Sequence, residues 1–385
     1  MKVLMISTDR SIFEKGSVAF ERMADYARLV DELHIIIFSK RIIPHPEQLQ
    51  ISDNASVYPT NSKSRWLYMV DGYRLGKYIL QSEIKNLQSI ISCQDTFETG
   101  LVGALLKRRF GIPFQIQIHT DFLSPYFKAQ SLLNRLRILI ACFVLKRANA
   151  IRVVSDRIKA SLLKSAIINH KSKIAVLPIF VNSEKFSAPG TKDLKTTTPF
   201  RQTFLIVSRL TPEKNVALAI RTFAKIADRF PDTGLLIVGV GSEETRLRRL
   251  IKAFGVEKRV VFVGAVPNDR LASFYRGTYC MLATSNYEGY GMALVEAASA
   301  GVPIVTTDVG IVGEVLRDGE NALVCPVGDE ACLVDRLGSV LADESLRQRL
   351  GEAATRAARD HTLTKEQYLD KMREGWQQCL ASVQL

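Results

Sequence analysis

Hydrophobic and polar positions along this 385-residue chain alternate between two regimes. Short runs rich in β-branched residues read as strands: "KVLMIS" (Lys2–Ser7), "LHIIIF" (Leu33–Phe38), "IISC" (Ile90–Cys93), "FQIQIHT" (Phe114–Thr120), "AIRVVS" (Ala150–Ser155) and "SKIAVLPIF". Between the first two, "SVAFERMADYARLVDE" repeats its apolar residues at helical spacing. The pattern lapses in "VNSEKFSAPGTKDLKTTTP", which is polar and carries Pro and Gly, as linkers do. It then restarts with "TFLIVSRL", "TGLLIVGVG", "RVVFVGAV", "CMLATS" and "VPIVTTD", each but the last followed by a helical stretch. Two such series predict an α/β protein with two Rossmann-like, doubly wound parallel sheets. The expected boundaries are 1–185 for the first domain, 186–200 for a linker and 201–363 for the second domain. Residues 364–385 read as a final helix that can pack back on the first domain. Ligands of such sheets bind beyond the carboxyl ends of the strands, so a site in the cleft between the domains is expected.

The length favours two domains, and 47% apolar against 24% charged residues gives ordinary globular cores. Six cysteines without a C-x-x-C pair argue against a zinc site or a disulfide framework and fit a reducing compartment. The apolar run in "MKVLMISTDR" is too short for a secretory signal, and no stretch approaches the ~18 uncharged apolar residues of a spanning helix. A cytoplasmic location is therefore expected. The net charge of +13 changes the picture, because residues 101–190 hold 15 Lys/Arg against 3 Asp/Glu. The remainder is nearly balanced, at 37 against 36. Such a block suits nucleic acid, an anionic membrane or an acidic substrate, and also a plain solvated surface. Its aromatics lie mostly in apolar contexts rather than among the charges, which argues against nucleic acid as a partner. Within it, Ile138–Leu145 is an apolar core flanked by Arg135, Arg137, Lys146 and Arg147. Two readings stand: a helix lying at a membrane interface, or a helix buried against the first sheet with basic ends in water.

Three stretches carry candidate chemistry. In "VSRLTPEKN" Arg209 ends a strand and Lys214 follows Pro212 at a helix start. Cations and a helix N-terminus together suit a diphosphate, although a capped helix with exposed charges fits the same letters. "LLIVGVGSEETRL" places Gly239 and Gly241 at another strand–helix turn, without the third glycine of a dinucleotide fingerprint. "NYEGYGMALVEAASAGVPIVTTD" sets Glu288 before a glycine turn and Glu296 inside an apolar helix. An ionised acid accepts two hydroxyl hydrogen bonds, so such a pair suits sugar hydroxyls. Eight positions along one helix span ~12 Å, so both acids reach one elongated ligand only if Glu288 precedes the helix. The alternative makes Glu288 a first-turn acid and Glu296 a solvated helix residue. Glu296 has apolar neighbours, and a carboxylate lodged there needs a partner.

"SRLTPEK", "EGYGMALVE" and "GVPIVTTDVGIVGEVLRDGENALVCPVGD" follow one another as in the retaining glycosyltransferases of the family-4 type, glycosyl transferases group 1. The chain resembles that family closely over its C-terminal half and more loosely over its first 190 residues. The resemblance implies the GT-B fold and a set of roles. Arg209 and Lys214 bind the donor diphosphate, Glu296 the ribose hydroxyls, and Val266 in "FVGAVPN" the nucleobase. Glu288 holds a hydroxyl of the transferred sugar, near the backbone N–H groups of Tyr290, Gly291 and Met292. His119 in "QIHTDF" matches the family histidine near the sugar, and Gly16 in "EKGSVAF" the glycine loop that approaches the phosphates. Ser17 stands where that loop often has a second glycine, Ala322 replaces the usual glycine of "DGENAL", and Ile311 departs from a frequent Gly-Gly.

The implied reaction moves a hexose-type sugar from a nucleotide diphosphate to an acceptor hydroxyl with retained configuration. It would serve cell-envelope glycan, glycolipid or polysaccharide synthesis, with a lipid-linked or glycan acceptor. The chain has no D-x-D, so neither a divalent metal nor another cofactor is expected. The basic block adds an anionic membrane surface as a partner, contacted peripherally. Two rivals remain. A nucleotide-sugar epimerase would need more acid/base residues than His119, and a non-catalytic basic protein would bind membrane or nucleic acid without turning over a sugar nucleotide.

Overall fold

The computed structural model describes residues 1–41, 48–84, 88–165, 167–169, 172–188 and 199–382. In chain order the elements are β1 (Lys2–Ser7), α1 (Val18–Ala27), β2 (Glu32–Ile37), β3 (Leu49–Ser52), β4 (Ala55–Pro59), α2 (Tyr68–Ser82) and β5 (Ser89–Cys93). There follow α3 (Glu98–Phe110), β6 (Phe114–Ile118), α4 (Pro125–Gln130), α5 (Leu132–Leu145), β7 (Ala150–Val153), α6 (Asp156–Lys164), β8 (Lys173–Val176) and α7 (Ser183–Ser187). After them come β9 (Gln202–Val207), α8 (Val216–Ala227), β10 (Thr233–Val238), α9 (Glu244–Ala253), β11 (Val260–Gly264), α10 (Asn268–Gly277) and β12 (Cys280–Ala283). The last are α11 (Met292–Ser299), β13 (Ile304–Thr307), β14 (Leu323–Cys325), α12 (Glu330–Ala342), α13 (Glu344–His361) and α14 (Lys365–Ala381). The chain divides into two units, Met1–Pro178 with Lys365–Leu385, and Ile179–Thr364.

The first unit holds an eight-stranded sheet in the order β3-β4-β2-β1-β5-β6-β7-β8. Val3 to Ile6 in β1 and Ile35 to Ile37 in β2 are fully buried, as expected of parallel strands covered by helices on both faces. The sheet departs from the all-parallel expectation at one edge, where β3 runs antiparallel to β4. Neither strand was expected, because "LQIS" and "ASVYP" carry no apolar run; pairing of β4 on β2 makes them strands. Ser17 begins α1 by accepting from the Phe20 N–H at 3.1 Å, and Gly111 ends α3 at φ 71°. Helices α2, α3 and α5 pack side by side in one layer.

A buried cation ties α14 to this unit. Arg152 on β7 donates to Gln117 Oε1 at 3.0 Å, the Pro178 carbonyl at 3.2 Å and the Tyr368 hydroxyl at 3.1 Å. Tyr368 bonds the Tyr26 hydroxyl at 2.6 Å, and the Tyr26 ring meets Trp376 edge-on. A guanidinium inside a sheet is tolerated only when its donors are satisfied, and α14 supplies one of the acceptors.

The second unit holds six parallel strands ordered β11-β10-β9-β12-β13-β14. The chain moves outward from β9 to β11, returns to β12 beside β9, and moves outward the other way. The order therefore reverses between β9 and β12, and sheets of this kind bind ligands beyond the strand ends at such a switch point. Phe204, Phe223, Leu235, Leu282 and Leu333 lie in its core. The three-residue β14 was not expected, being too short to announce itself. The stretch read as a linker begins as helix α7 with Phe186 buried; its residues 189–198 lie outside the described residues.

One expectation is overturned. Cys325 and Cys332 form a disulfide, although the cysteine spacing argues against a disulfide framework and fits a reducing compartment. The Asp329 cap, accepting from the Cys332 N–H at 2.9 Å, starts α12 in a turn that returns Cys332 beside the end of β14. Seven residues of sequence separation thus become neighbours through a turn.

Candidate functional site

The strand ends at the switch point gather most of the predicted residues. After β9 the chain passes Arg209 and enters a 3-10 turn at Pro212–Lys214, closed by Asn215 at φ 46°. After β12 it passes Thr284 to Glu288 before α11 begins. Thr284 Oγ1 donates to the Asn215 carbonyl at 3.0 Å, and the Asn286 N–H donates to the Glu213 carbonyl at 2.8 Å. Asn215 Nδ2 reaches Asn286 Oδ1 at 3.0 Å. These bonds clip the two loops together, and the clip brings Lys214 and Glu288 into a close ion pair. Ser285 Oγ donates to the same Glu288 oxygen at 2.8 Å. Both charged groups are mostly shielded from water, so the pair is stronger than a surface one.

Arg209 stands differently. Its side chain is 75% exposed and reaches Glu213 Oε1 at 3.2 Å, which Thr211 Oγ1 also contacts at 2.6 Å. Its guanidinium is thus lightly held at the end of β9. Val266, half-buried, follows β11 at the same end of the sheet.

Glycines let these loops approach. A Cβ on Gly239 would lie 1.9 Å from the Ser208 carbonyl oxygen, and one on Gly241 2.3 Å from that of Leu210. The "GVG" signal, weak as a nucleotide fingerprint, therefore lets the loop after β10 pack onto the loop that bears Arg209. A third glycine escaped sequence reasoning. Gly310, at φ 58°, would place a Cβ 2.4 Å from the Tyr290 carbonyl oxygen and 3.1 Å from Glu288 Cβ. The neighbouring Ile311 N–H donates to that Tyr290 carbonyl at 3.0 Å. Tyr290 itself is buried, and burial together with nearby Glu314 raises its phenol pKa.

Gly291, at φ 92°, caps α11, and Met292 is its first residue. Glu296 follows in the helix and is 5% exposed, which excludes the reading of a solvated helix residue. Its partner is Tyr275 on α10, whose hydroxyl donates to Glu296 Oε2 at 2.8 Å. Burial raises the Glu296 pKa above the usual carboxylate range, while Tyr275 and, more weakly, Lys185 oppose the shift. Phe186 on α7 meets the Tyr275 ring edge-on at 5.7 Å. Sequence reasoning required a partner for Glu296 but found neither Tyr275 nor its buttress, because both come from other elements.

The remaining predicted residues belong to the first unit. His119 directly follows β6 with Nε2 3.3 Å from Gln117 Oε1. Burial, then Arg152 and Arg22, pushes its pKa down to about 3, so the ring is neutral at ordinary pH. Gly16 has φ 83° with open space where a Cβ would stand, so its backbone conformation rather than a close approach calls for glycine. Ser17 serves as the α1 cap.

The family model for glycosyl transferases group 1 matches residues 195–357, the stretch that holds the clipped loops and Glu296. The N-acetyl-alpha-D-glucosaminyl L-malate synthase of Bacillus anthracis is 35% identical over 148 residues, which is 38% of each chain. This chain thus aligns with well under half of that relative's length. Among solved structures, the sucrose-phosphate synthase of Thermosynechococcus elongatus superposes with a TM-score of 0.83 over 99% of this chain and 100% of that one, at 18% identity. Anabaena HepE, solved in complex with UDP-glucose, superposes at 0.74 over 99% of this chain and 100% of that one, also at 18% identity. At such identities the likeness establishes the fold: two Rossmann-like units, the make-up of GT-B proteins.

Proposed function

We propose that this chain, whose residues 195–357 match the family model for glycosyl transferases group 1, transfers a sugar from a nucleotide diphosphate to an acceptor hydroxyl. The observation that carries the reading is the pairing of Lys214 with Glu288 at the β9/β12 switch point, with the buried acid Glu296 on the helix that follows. A cation at strand ends suits a diphosphate, and acids beside it suit hydroxyls. In this reading Arg209 and Lys214 stabilise charge that gathers on the diphosphate as its bond to the anomeric carbon breaks. Glu296 accepts from the ribose hydroxyls, Glu288 orients the sugar near the Tyr290–Met292 backbone, and Val266 contacts the base. Gly16 and His119, a neutral imidazole, serve the phosphates and the sugar from the first unit. The new bond forms to the acceptor oxygen, and the hydroxyl proton leaves with the diphosphate or passes to solvent.

We further assign retention of configuration, a hexose-type sugar, a lipid-linked or glycan acceptor in cell-envelope synthesis, and independence from divalent metal. The absence of D-x-D from the sequence supports the last point. UDP-glucose, the ligand of the HepE complex, supports a sugar nucleotide as the donor class. A thermal-shift screen of UDP, GDP, ADP and their sugars tests the donor. A ligand at a hundred times its Kd stabilises by ~2.7 kcal/mol. Calorimetry then compares Glu296→Ala, which loses bonds to a charged group worth ~1.5–3 kcal/mol. Failure of every nucleotide to stabilise the protein, or unchanged affinity in Glu296→Ala, would sink the reading.

A further inference from the structure

Helix α5 is held to the first unit by one side. Ser131 caps it, accepting from the Asn134 N–H at 3.1 Å, and Asn134 Nδ2 donates to the Phe127 carbonyl at 3.0 Å. Arg137 pairs with Glu98 on α3 through Nε at 2.9 Å and Nη2 at 2.7 Å. Ala141, Val144 and Leu145 are buried beneath. The opposite side is apolar and, among the described residues, exposed. Leu132 is 78% exposed, Leu136 53%, Leu139 67% and Phe143 37%. These residues recur at i, i+4, i+7 and i+11, so they form one stripe. The helix carries no acid, and Glu98 neutralises Arg137, whereas Arg135, Lys146 and Arg147 remain exposed around the stripe. The Arg147 guanidinium lies 3.5 Å from the centroid of the Phe143 ring. Exposed Leu105, Arg108 and Arg109 on α3, the helix packed beside α5, extend the same combination.

We infer that α5 docks the first unit on an anionic lipid bilayer, its leucine stripe set into the interface and its basic residues on lipid phosphates. Leucines exposed on a helix face take an apolar medium, and the excess of cations around them selects a negative one. Nucleic acid would match the charge but not the leucines. A second copy of this chain would match the leucines but would bring like charges together. At fourteen residues the helix lies along the surface rather than across it, and among the described residues no helix is long and apolar enough to span. The docking does not depend on the donor site.

The test is co-sedimentation of the full chain with phosphatidylcholine vesicles, with and without phosphatidylglycerol, at low and high salt. The protein is expected to pellet with the anionic vesicles, less so at high salt, and to remain in solution with neutral ones. Leu136→Glu combined with Leu139→Glu should lower partitioning about tenfold or more, and Arg135→Glu should lower it with less residual salt dependence. Both exposed leucines tolerate the change, so the thermal midpoint should hold. Should the double variant misfold, hydrogen exchange of the wild-type chain decides, with vesicle-induced protection expected on α5. Absence from both pellets, binding indifferent to the double variant, or protection elsewhere overturns the inference. So does a wild-type dimer that the double variant dissociates, which gives the face to a second copy.

Discussion

Tyr275→Phe removes one hydroxyl and leaves the ring that packs on Phe186. The lost bond, 2.8 Å long, serves a carboxylate that is 5% exposed, so water has little access to replace it. Hydrogen bonds to charged groups are worth ~1.5–3 kcal/mol, and a destabilisation of about 2 kcal/mol at neutral pH is expected. The pH dependence identifies the cause. Burial raises the Glu296 pKa, so the folded chain keeps this proton where the unfolded chain has lost it. The stability this group contributes is fully present below its unfolded pKa and is lost as pH rises through the folded value. Tyr275 limits that loss by favouring the ionised form. The variant should therefore suffer most at neutral pH and approach the wild type as acid protonates Glu296. Urea unfolding followed by circular dichroism, at about pH 7.5 and again near pH 5, measures the difference. An equal penalty at both pH values, or none, would refute the argument that the hydroxyl acts through the Glu296 charge.

Three further outcomes are expected. Gly310→Ala, whose Cβ would meet the Tyr290 carbonyl at 2.4 Å in a left-handed conformation, should lower stability by at least ~1–3 kcal/mol in thermal unfolding. Gly319→Ala, with φ 73° and open space, should cost less, and equal losses would remove the case for close approach. The His119 ring resonances should stay constant between about pH 5 and 8, because its proton leaves near 3; an NMR titration midpoint near 6.5 would contradict this. Sugar transfer should continue in EDTA, and inhibition reversed by added magnesium or manganese would count against metal independence.

The sequence alone determined what depends on near neighbours. Buried parallel strands are continuous apolar runs, so β1, β9 and β10 could be read directly, as could the final helix from its periodicity. Arg209 and Glu288 stand in the loops that follow β9 and β12, Glu296 stands inside the helix after the second loop, and their local motifs located them. The edge strands β3 and β4 have no such run, because pairing rather than burial of a long apolar stretch defines them. Tertiary structure alone joined Lys214 to Glu288 across 74 residues and supplied Tyr275 to Glu296 across 21. It also brought Gly310 against Tyr290 and turned α12 so that Cys332 meets Cys325. For α5 the letters fit both a buried helix and an interfacial one. Periodicity gives the angle between side chains on a helix but not which angle faces the core. Asn134 and the Arg137–Glu98 pair fix that rotation, and with it the exposure of the leucines.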